Sequence, residues 1–149
     1  MLQRLRRLIV PAVALLPYVL PAPLRGQDVS YRLVVHKSNP IAQLTRDQVS
    51  RIFLRKITLW DTHRPVLPVD QASDSPVRKT FTKQIHQRTI ASIQTWWQQQ
   101  TFAGSGVAPP ERASDTEVLE YIRRYPDAIG YVRAGTQVGA DVKVVEVKP

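Results

Sequence analysis

Residues 44–60 read LTRDQVSRIFLRKITLW, and this stretch carries the clearest local signal for the fold. Thr45 and Gln48 have the spacing of a capping box, in which each side chain accepts a hydrogen bond from the other residue's backbone N–H at a helix start. Apolar residues then recur on one helical face, and they are Val49, Ile52 and Phe53. The stretch therefore predicts a short amphipathic helix that packs one face against a core.

Predicted strands and helices follow one another on both sides of this helix, with no internal boundary. Runs rich in β-branched and aromatic residues predict strands, which cover 29–37, 65–70, 129–133 and 142–147. Capping residues followed by apolar residues at helical spacing predict further helices, which begin after Ser75, Thr89 and Ser114. The order β-α-β-α-α-α-β-β predicts an α/β domain in which helices flank a mixed sheet.

The amino-terminal 26 residues have the pattern of a secretory signal peptide. A basic start with Arg4, Arg6 and Arg7 precedes the uncharged residues 8–20, and such an order is typical of an export signal. An apolar run this short falls below the ~20 residues that span a bilayer as a helix. We therefore predict a signal peptide at 1–26, a domain at 27–149 and a periplasmic or secreted protein without a stable membrane span. A retained amphipathic anchor is the alternative.

Charge and composition limit the classes of partner that the chain is expected to bind. The 149 residues carry a formal net charge of +9, which taken alone suggests a nucleic acid or a membrane surface. Without the four arginines of 1–26, 17 Lys and Arg face 12 Asp and Glu, a net charge of +5. These basic residues are scattered rather than interleaved with aromatic ones, so no nucleic-acid partner is expected. The absence of cysteine excludes disulfides and thiolate chemistry.

No pattern in the chain points to catalysis or to a metal. The three histidines, His36, His63 and His86, lie far apart and lack the spacing of metal ligands. No nucleophile elbow, zinc-protease motif or phosphate-binding loop is present. We therefore expect a protein that is not an enzyme and that uses no metal or cofactor.

The turn at 70–76, DQASDSP, is the best candidate for a binding site. It joins a predicted strand to a predicted helix start, where unpaired N–H groups and the helix dipole favour an oxyanion. Hydroxyl groups of Ser73 and Ser75 could add donors, and Arg78 adds positive charge in the first turn. The alternative is that Ser75 serves only as a helix cap and Asp74 only as a partner of the dipole.

Three segments together resemble a known family, namely residues 44–60 with IF-x-x-KIT-x-W, the pair Phe81-Thr82, and residues 127–132 with AIGYV. The chain is similar to the phosphate-binding proteins of phosphate ABC transporters and to their short PBP-like relatives. The resemblance implies one lobe of a type II periplasmic-binding-protein fold. In full-length members two lobes clamp a small oxyanion, which helix N-termini and Arg, Ser and Thr side chains ligate.

The chain departs from the family at the phosphate-binding turn. Gln71 stands where the family has an arginine, Ser75 matches the family's serine, and Pro76 and Val77 replace a glycine and a threonine. Only Ser75 carries over, so weak anion binding is expected, because a guanidinium makes the strongest contacts. Arg55 replaces the usual glycine after the first helix, which costs about 1 kcal/mol if that residue is left-handed.

Two functions are compatible with these observations. The first is a solute-binding-like protein that binds phosphate or a similar small anion and serves an ABC transporter permease. Ser75 would donate its hydroxyl and backbone N–H, Ser73 a second hydroxyl, and Arg78 long-range charge. The second is a protein-interaction module of the cell envelope that has lost its ligand, with Trp96 or Trp97 and the loop 104–110 as its contact face.

Overall fold

A computed structural model describes residues 29–149, so the predicted signal peptide at 1–26 lies outside the described residues. The helices in the described part are α1 Arg46–Phe53, α2 Pro76–Phe81, α3 Ile90–Phe102 and α4 Asp115–Arg124. A π-helical segment, Thr82–His86, continues α2. The strands are β1 Tyr31–His36, β2 Gln43–Thr45, β3 Leu67–Pro68, β4 Asp70–Gln71, β5 Glu111–Arg112, β6 Ala128–Arg133 and β7 Val142–Lys148.

The strands form a mixed sheet, which confirms the predicted fold class. Among residues 29–149, five strands join in the order β2-β7-β1-β6-β3, and β4 pairs with β5 in a separate parallel ladder. The central β1 runs antiparallel to both β6 and β7, whereas the outer strands β2 and β3 run parallel to their neighbours. The prediction missed β2 and β5, because strands of two or three residues owe their form to pairing with distant residues.

The sheet buries both of its faces. Successive residues of β1 point to opposite faces, so Leu33 and Val35 enter one apolar cluster while Val34 enters the other. Helices α1 and α2 cover the first face with buried side chains that include Val49, Ile52, Phe53, Val77 and Phe81. Helix α4 covers the second face with Val118, Leu119 and Ile122. The helical faces predicted from spacing are therefore the faces that pack.

Local signals at the ends of α1 are confirmed. The Thr45 hydroxyl accepts from the Gln48 N–H at 3.2 Å, and the Gln48 side chain accepts from the Thr45 N–H at 2.8 Å. Arg55, after the helix, has a φ of 57°, so it occupies the left-handed conformation that disfavours a side chain. The backbone of Arg55 therefore carries the strain that the sequence predicted for a residue other than glycine at this position.

A stacked aromatic pair joins α2 to the sheet. The rings of Phe81 and Tyr131 lie 3.8 Å apart at 7°, and both residues are buried. This pair fixes the end of α2 against β6. It also directs the Tyr131 hydroxyl toward β4, where the predicted binding turn begins.

No helix within residues 29–149 has the length and apolar character needed to cross a membrane.

Candidate functional site: a cleft between two helix starts

The starts of α2 and α4 meet at an open cleft of about 510 Å³. Its lining residues come from the predicted turn, from the start of α4 and from the end of β6, and they are Gln71, Asp74, Ser75, Pro76, Ala113, Ser114, Asp115, Thr116, Arg133 and Thr136. The first N–H groups of a helix lack intrahelical acceptors. Two positive dipole ends therefore flank one cleft, which is a favourable setting for an anion. The free N–H donors come from α4, because α2 begins with Pro76, which has no N–H, and its Arg78 N–H is capped by Ser75.

Ser75 lies in this cleft, but its own chain already uses its polar groups. As the N-cap of α2, its Oγ accepts from the Arg78 N–H at 3.5 Å and donates to the Gln71 Oε1 at 2.9 Å. Its backbone N–H donates to the Ala72 carbonyl at 3.0 Å. The Ser75 N–H is therefore not free to bind a solute, which corrects the expectation from the sequence. The Ser75 hydroxyl must break its hydrogen bond to Gln71 before it can donate to a solute.

Gln71 connects the two helix starts. This side chain is only 2% exposed, and its Oε1 accepts the Ser75 hydroxyl. Its Nε2 donates to the Asp115 Oδ1 at 2.8 Å and to the Tyr131 carbonyl at 3.0 Å. The neutral amide thus holds the two sides of the cleft together through hydrogen bonds, and it presents no charge to a solute.

Arg78 lies away from the cleft, in a buried ion pair. Its side chain is 4% exposed, 3.2 Å from the Asp70 Oδ2, and also paired with Glu111. Its Nη1 donates to the Gln71 carbonyl as well. Burial acts to lower the pKa of Arg78, but Asp70 and Glu111 outweigh it and raise the pKa above the ordinary value. The predicted long-range charge is therefore cancelled by two carboxylates before it reaches the cleft.

The carboxylate that pairs with Arg78 also organises Tyr131. The Tyr131 hydroxyl donates to the Asp70 Oδ1. Burial raises the pKa of the Asp70 carboxyl, although Arg78 and hydrogen bonds from Tyr131 and Gln71 oppose that rise. Burial and the Asp70 carboxylate raise the pKa of Tyr131 well above its usual value. The hydroxyl therefore stays protonated and donates to Asp70, and the cluster fixes β4 beside β6.

Ser73 lies in the turn between β4 and α2, half-buried. It is not among the residues that line the cleft. The structure thus brings Ser75 to the cleft but leaves Ser73 and Arg78 outside its wall. The part of Ser73 in binding stays a prediction.

Arg133 and Thr116 line the cleft and were not predicted. Arg133 is exposed, and within residues 29–149 its guanidinium makes no ion pair. Thr116 is the second residue of α4, a position whose N–H lacks an intrahelical acceptor. Arg133 follows the AIGYV segment by sequence, but only the pairing of β6 with β1 and β3 brings it opposite residue 75.

The start of α4 is closed by its own caps. The Ser114 hydroxyl accepts from the Glu117 N–H at 3.2 Å, as the predicted capping sequence requires. The Glu117 carboxylate accepts a hydrogen bond from the N–H of Ala113, the residue before the N-cap, at 2.9 Å. These bonds use the third helical N–H and leave the first two directed at the cleft end of the helix.

The residues at the predicted aromatic contact face differ in how far they are exposed. Trp97 is buried against Leu54 and Ile93, and Trp96 is partly buried beside it. Phe102, which was not predicted, is 94% exposed at the end of α3, and Val107 in the following loop is 65% exposed. Trp97 and Phe102 line a second cavity of about 520 Å³, which Arg78 and Glu111 also border. Adjacent tryptophans diverge by about 100° on a helix, so only one of them packs fully.

The family model for the PBP superfamily domain matches residues 31–146. The chain therefore belongs to the periplasmic-binding-protein (PBP) superfamily, as the sequence resemblance predicted. No curated protein matches the sequence.

Three solved structures that share this fold are described as proteins of phosphate transport or phosphate binding. An ABC-type phosphate transport receptor from Vibrio cholerae superposes with a TM-score of 0.61 at 18% identity over 79% of this chain and 46% of its own. A structure from Clostridium perfringens with bound phosphate, described as a phosphate ABC transporter substrate-binding protein, gives 0.61 at 22% identity over 80% and 46%. PstS from Borrelia burgdorferi gives 0.61 at 14% identity over 79% and 47%. This chain thus spans about half the length of these receptors.

Proposed function

We propose that this chain is an exported solute-binding module that binds a small oxyanion such as phosphate, weakly, in the cleft between the starts of α2 and α4. The observation that carries the proposal is the meeting of two helix starts beside the guanidinium of Arg133, which has no ion-pair partner among residues 29–149. Membership of the PBP superfamily supports a solute-binding role in place of an enzymatic one.

The donors assigned to the solute come from both sides of the cleft. The Ser75 hydroxyl comes from the start of α2, and the Thr116 N–H and hydroxyl come from the start of α4. The guanidinium of Arg133 supplies planar donors that suit an oxyanion. The cleft is open to water and carries Asp74 and Asp115, so the affinity is low. This donor set retains Ser75 from the sequence prediction and replaces Arg78 with Arg133.

Calorimetric titration of the purified protein with inorganic phosphate tests the site. Wild-type protein should bind with a millimolar or tighter Kd. Ser75→Ala and Arg133→Gln should each weaken binding about tenfold, because each removes a donor to a charged ligand. Arg124→Gln removes the same charge from an exposed position outside the cleft, and it should leave the Kd unchanged. Equal losses in Arg133→Gln and Arg124→Gln would mean that phosphate senses net charge and not this cleft.

Export and transport complete the proposal. Residues 1–26 would direct the chain to the periplasm, and the loaded module would deliver its solute to an ABC transporter permease. The phosphate receptors with the same fold support this link. Accumulation of radiolabelled phosphate by cells that lack the gene tests it, since uptake should fall at limiting phosphate and recover on complementation.

A second candidate function is a protein-interaction module of the cell envelope. Two exposed apolar side chains near the second cavity favour it, namely Phe102 at the end of α3 and Val107 in the loop that follows. Absence of heat with phosphate, together with an envelope partner whose binding Phe102→Ser abolishes, would favour this function over the first.

A further inference from the structure

The Asp115 carboxylate holds the hydrogen-bond donors of the cleft. Its Oδ1 accepts from the Gln71 Nε2 at 2.8 Å. Its Oδ2 accepts from the Thr136 hydroxyl at 2.6 Å and from the Arg133 N–H at 3.2 Å. The amide of Gln71, together with a hydroxyl and a backbone N–H from the turn 133–136, therefore converges on one anionic group, which is half-buried in the wall of the cleft.

This arrangement is the one that a bound oxyanion would require. Asp115 is the first residue of α4, so its negative charge also lies at the positive end of the helix dipole. A solute that enters the cleft meets donors already engaged and a like charge beside them. Asp74, the other acid of the cleft, differs, because it is exposed and no hydrogen bond or ion pair involves its side chain among the described residues.

We propose that Asp115 is an internal occupant of the oxyanion cleft and the residue that sets its low affinity. This inference rests on the proposed function, since it concerns the same cleft. Asp115 occupies the Thr136 hydroxyl and the Arg133 N–H, which would otherwise add to the donors assigned to the solute, and it repels an anion by charge. Removal of its charge therefore ends the repulsion and leaves the Arg133 N–H to the solute.

Calorimetric titration with inorganic phosphate separates this role from a general charge effect. Asp115→Asn keeps an oxygen that accepts from Gln71, whereas its amide group donates to the Thr136 hydroxyl and leaves the Arg133 N–H to the solute. The variant should bind phosphate more than about tenfold tighter than wild type, because a charge within hydrogen-bond range is lost. Asp74→Asn is the matched control, and it should tighten binding less than about threefold, because exposed charges are screened.

The outcomes are distinct for this inference and for the proposed function. Equal or weaker binding by Asp115→Asn, or an equal gain in Asp74→Asn, overturns the role of Asp115. Binding by Asp115→Asn without any binding by wild type supports that role and refutes phosphate binding by the native chain. Absence of binding in every variant refutes both. Asp115→Ser, a small neutral residue that suits a first helical turn, replaces Asp115→Asn if thermal melting shows that the asparagine variant does not fold.

Discussion

Replacement of Arg78 by methionine separates a structural role from a binding role. The guanidinium is 4% exposed, lies 3.2 Å from the Asp70 Oδ2 and is also paired with Glu111. Asp70 is itself buried, so loss of the arginine leaves a buried carboxylate without its cation. Breaking a buried ion pair from one side typically costs about 3–5 kcal/mol. Glu111 adds little to this cost, because its side chain is 48% exposed and can be solvated.

Urea denaturation followed by tryptophan fluorescence measures this cost. Arg78→Met should lower the free energy of unfolding by about 3–5 kcal/mol with an unchanged dependence on urea. The double variant Asp70→Asn/Arg78→Met should recover part of the loss, because the stranded charge is gone while the asparagine oxygen still accepts from Tyr131. The two positions are in direct contact, so their effects should not add.

The same variant tests the location of the binding site. Folded Arg78→Met should bind phosphate with a Kd within about threefold of wild type, because the guanidinium lies outside the cleft. A change of that size is less than about 1.4 kcal/mol of binding free energy, which is the value of a tenfold change. An unchanged free energy of unfolding together with abolished phosphate binding would refute the reasoning, and would return Arg78 to the ligand set that the sequence suggested.

Three further changes test the packing, the backbone and the pH dependence of the fold. Gly130→Ala should lower the free energy of unfolding by about 1–3 kcal/mol, because its Cβ would lie 2.8 Å from methyl groups of both Val69 and Val118; a melting temperature equal to wild type would contradict this. Arg55→Gly should raise the free energy of unfolding by up to about 1 kcal/mol, since φ is 57° there, and a loss in urea denaturation would show that the arginine side chain stabilises the turn. Burial, with smaller effects of Arg88 and Arg78, lowers the pKa of His86 from 6.5 to about 4. The unfolded chain therefore takes up a proton before the folded protein does, so stability is full above pH 6.5 and falls by roughly 3 kcal/mol on acidification to about pH 4. The free energies of unfolding of wild type and His86→Gln, measured in urea, should converge as the pH falls through this window. A difference that stays constant with pH would contradict the assignment.

Sequence alone sufficed where the signal was local. The Thr45 and Gln48 capping box depends on residues three apart, and it forms as predicted. The same holds for the Ser75 and Ser114 caps and for the apolar faces of α1 and α4. The left-handed conformation of Arg55 was anticipated from a glycine in related proteins. These features arise from neighbours along the chain, so short-range physical rules describe them well.

The site could not be predicted from the sequence, because the residues that contact one another in it are distant along the chain. Arg78 precedes Glu111 by 33 residues and Gln71 precedes Asp115 by 44, so no local rule reports that β5 and α4 pack against β4. Basic residues in the first turn of α2 suggested an anion in front of them. The actual counter-charge is internal, namely Asp70 and Glu111. Arg133 was missed for the same reason, since only strand pairing brings it to the cleft.

A titration of ¹⁵N-labelled protein with inorganic phosphate, followed residue by residue in amide spectra, tests the central claim most directly. Binding between the starts of α2 and α4 predicts saturable shifts with one common Kd at Ser75, Thr116 and Arg133, which line the cleft, and no shift around the exposed Phe102. Shifts that grow without saturation and spread over the basic surface, or no shift at these three amides, would contradict it.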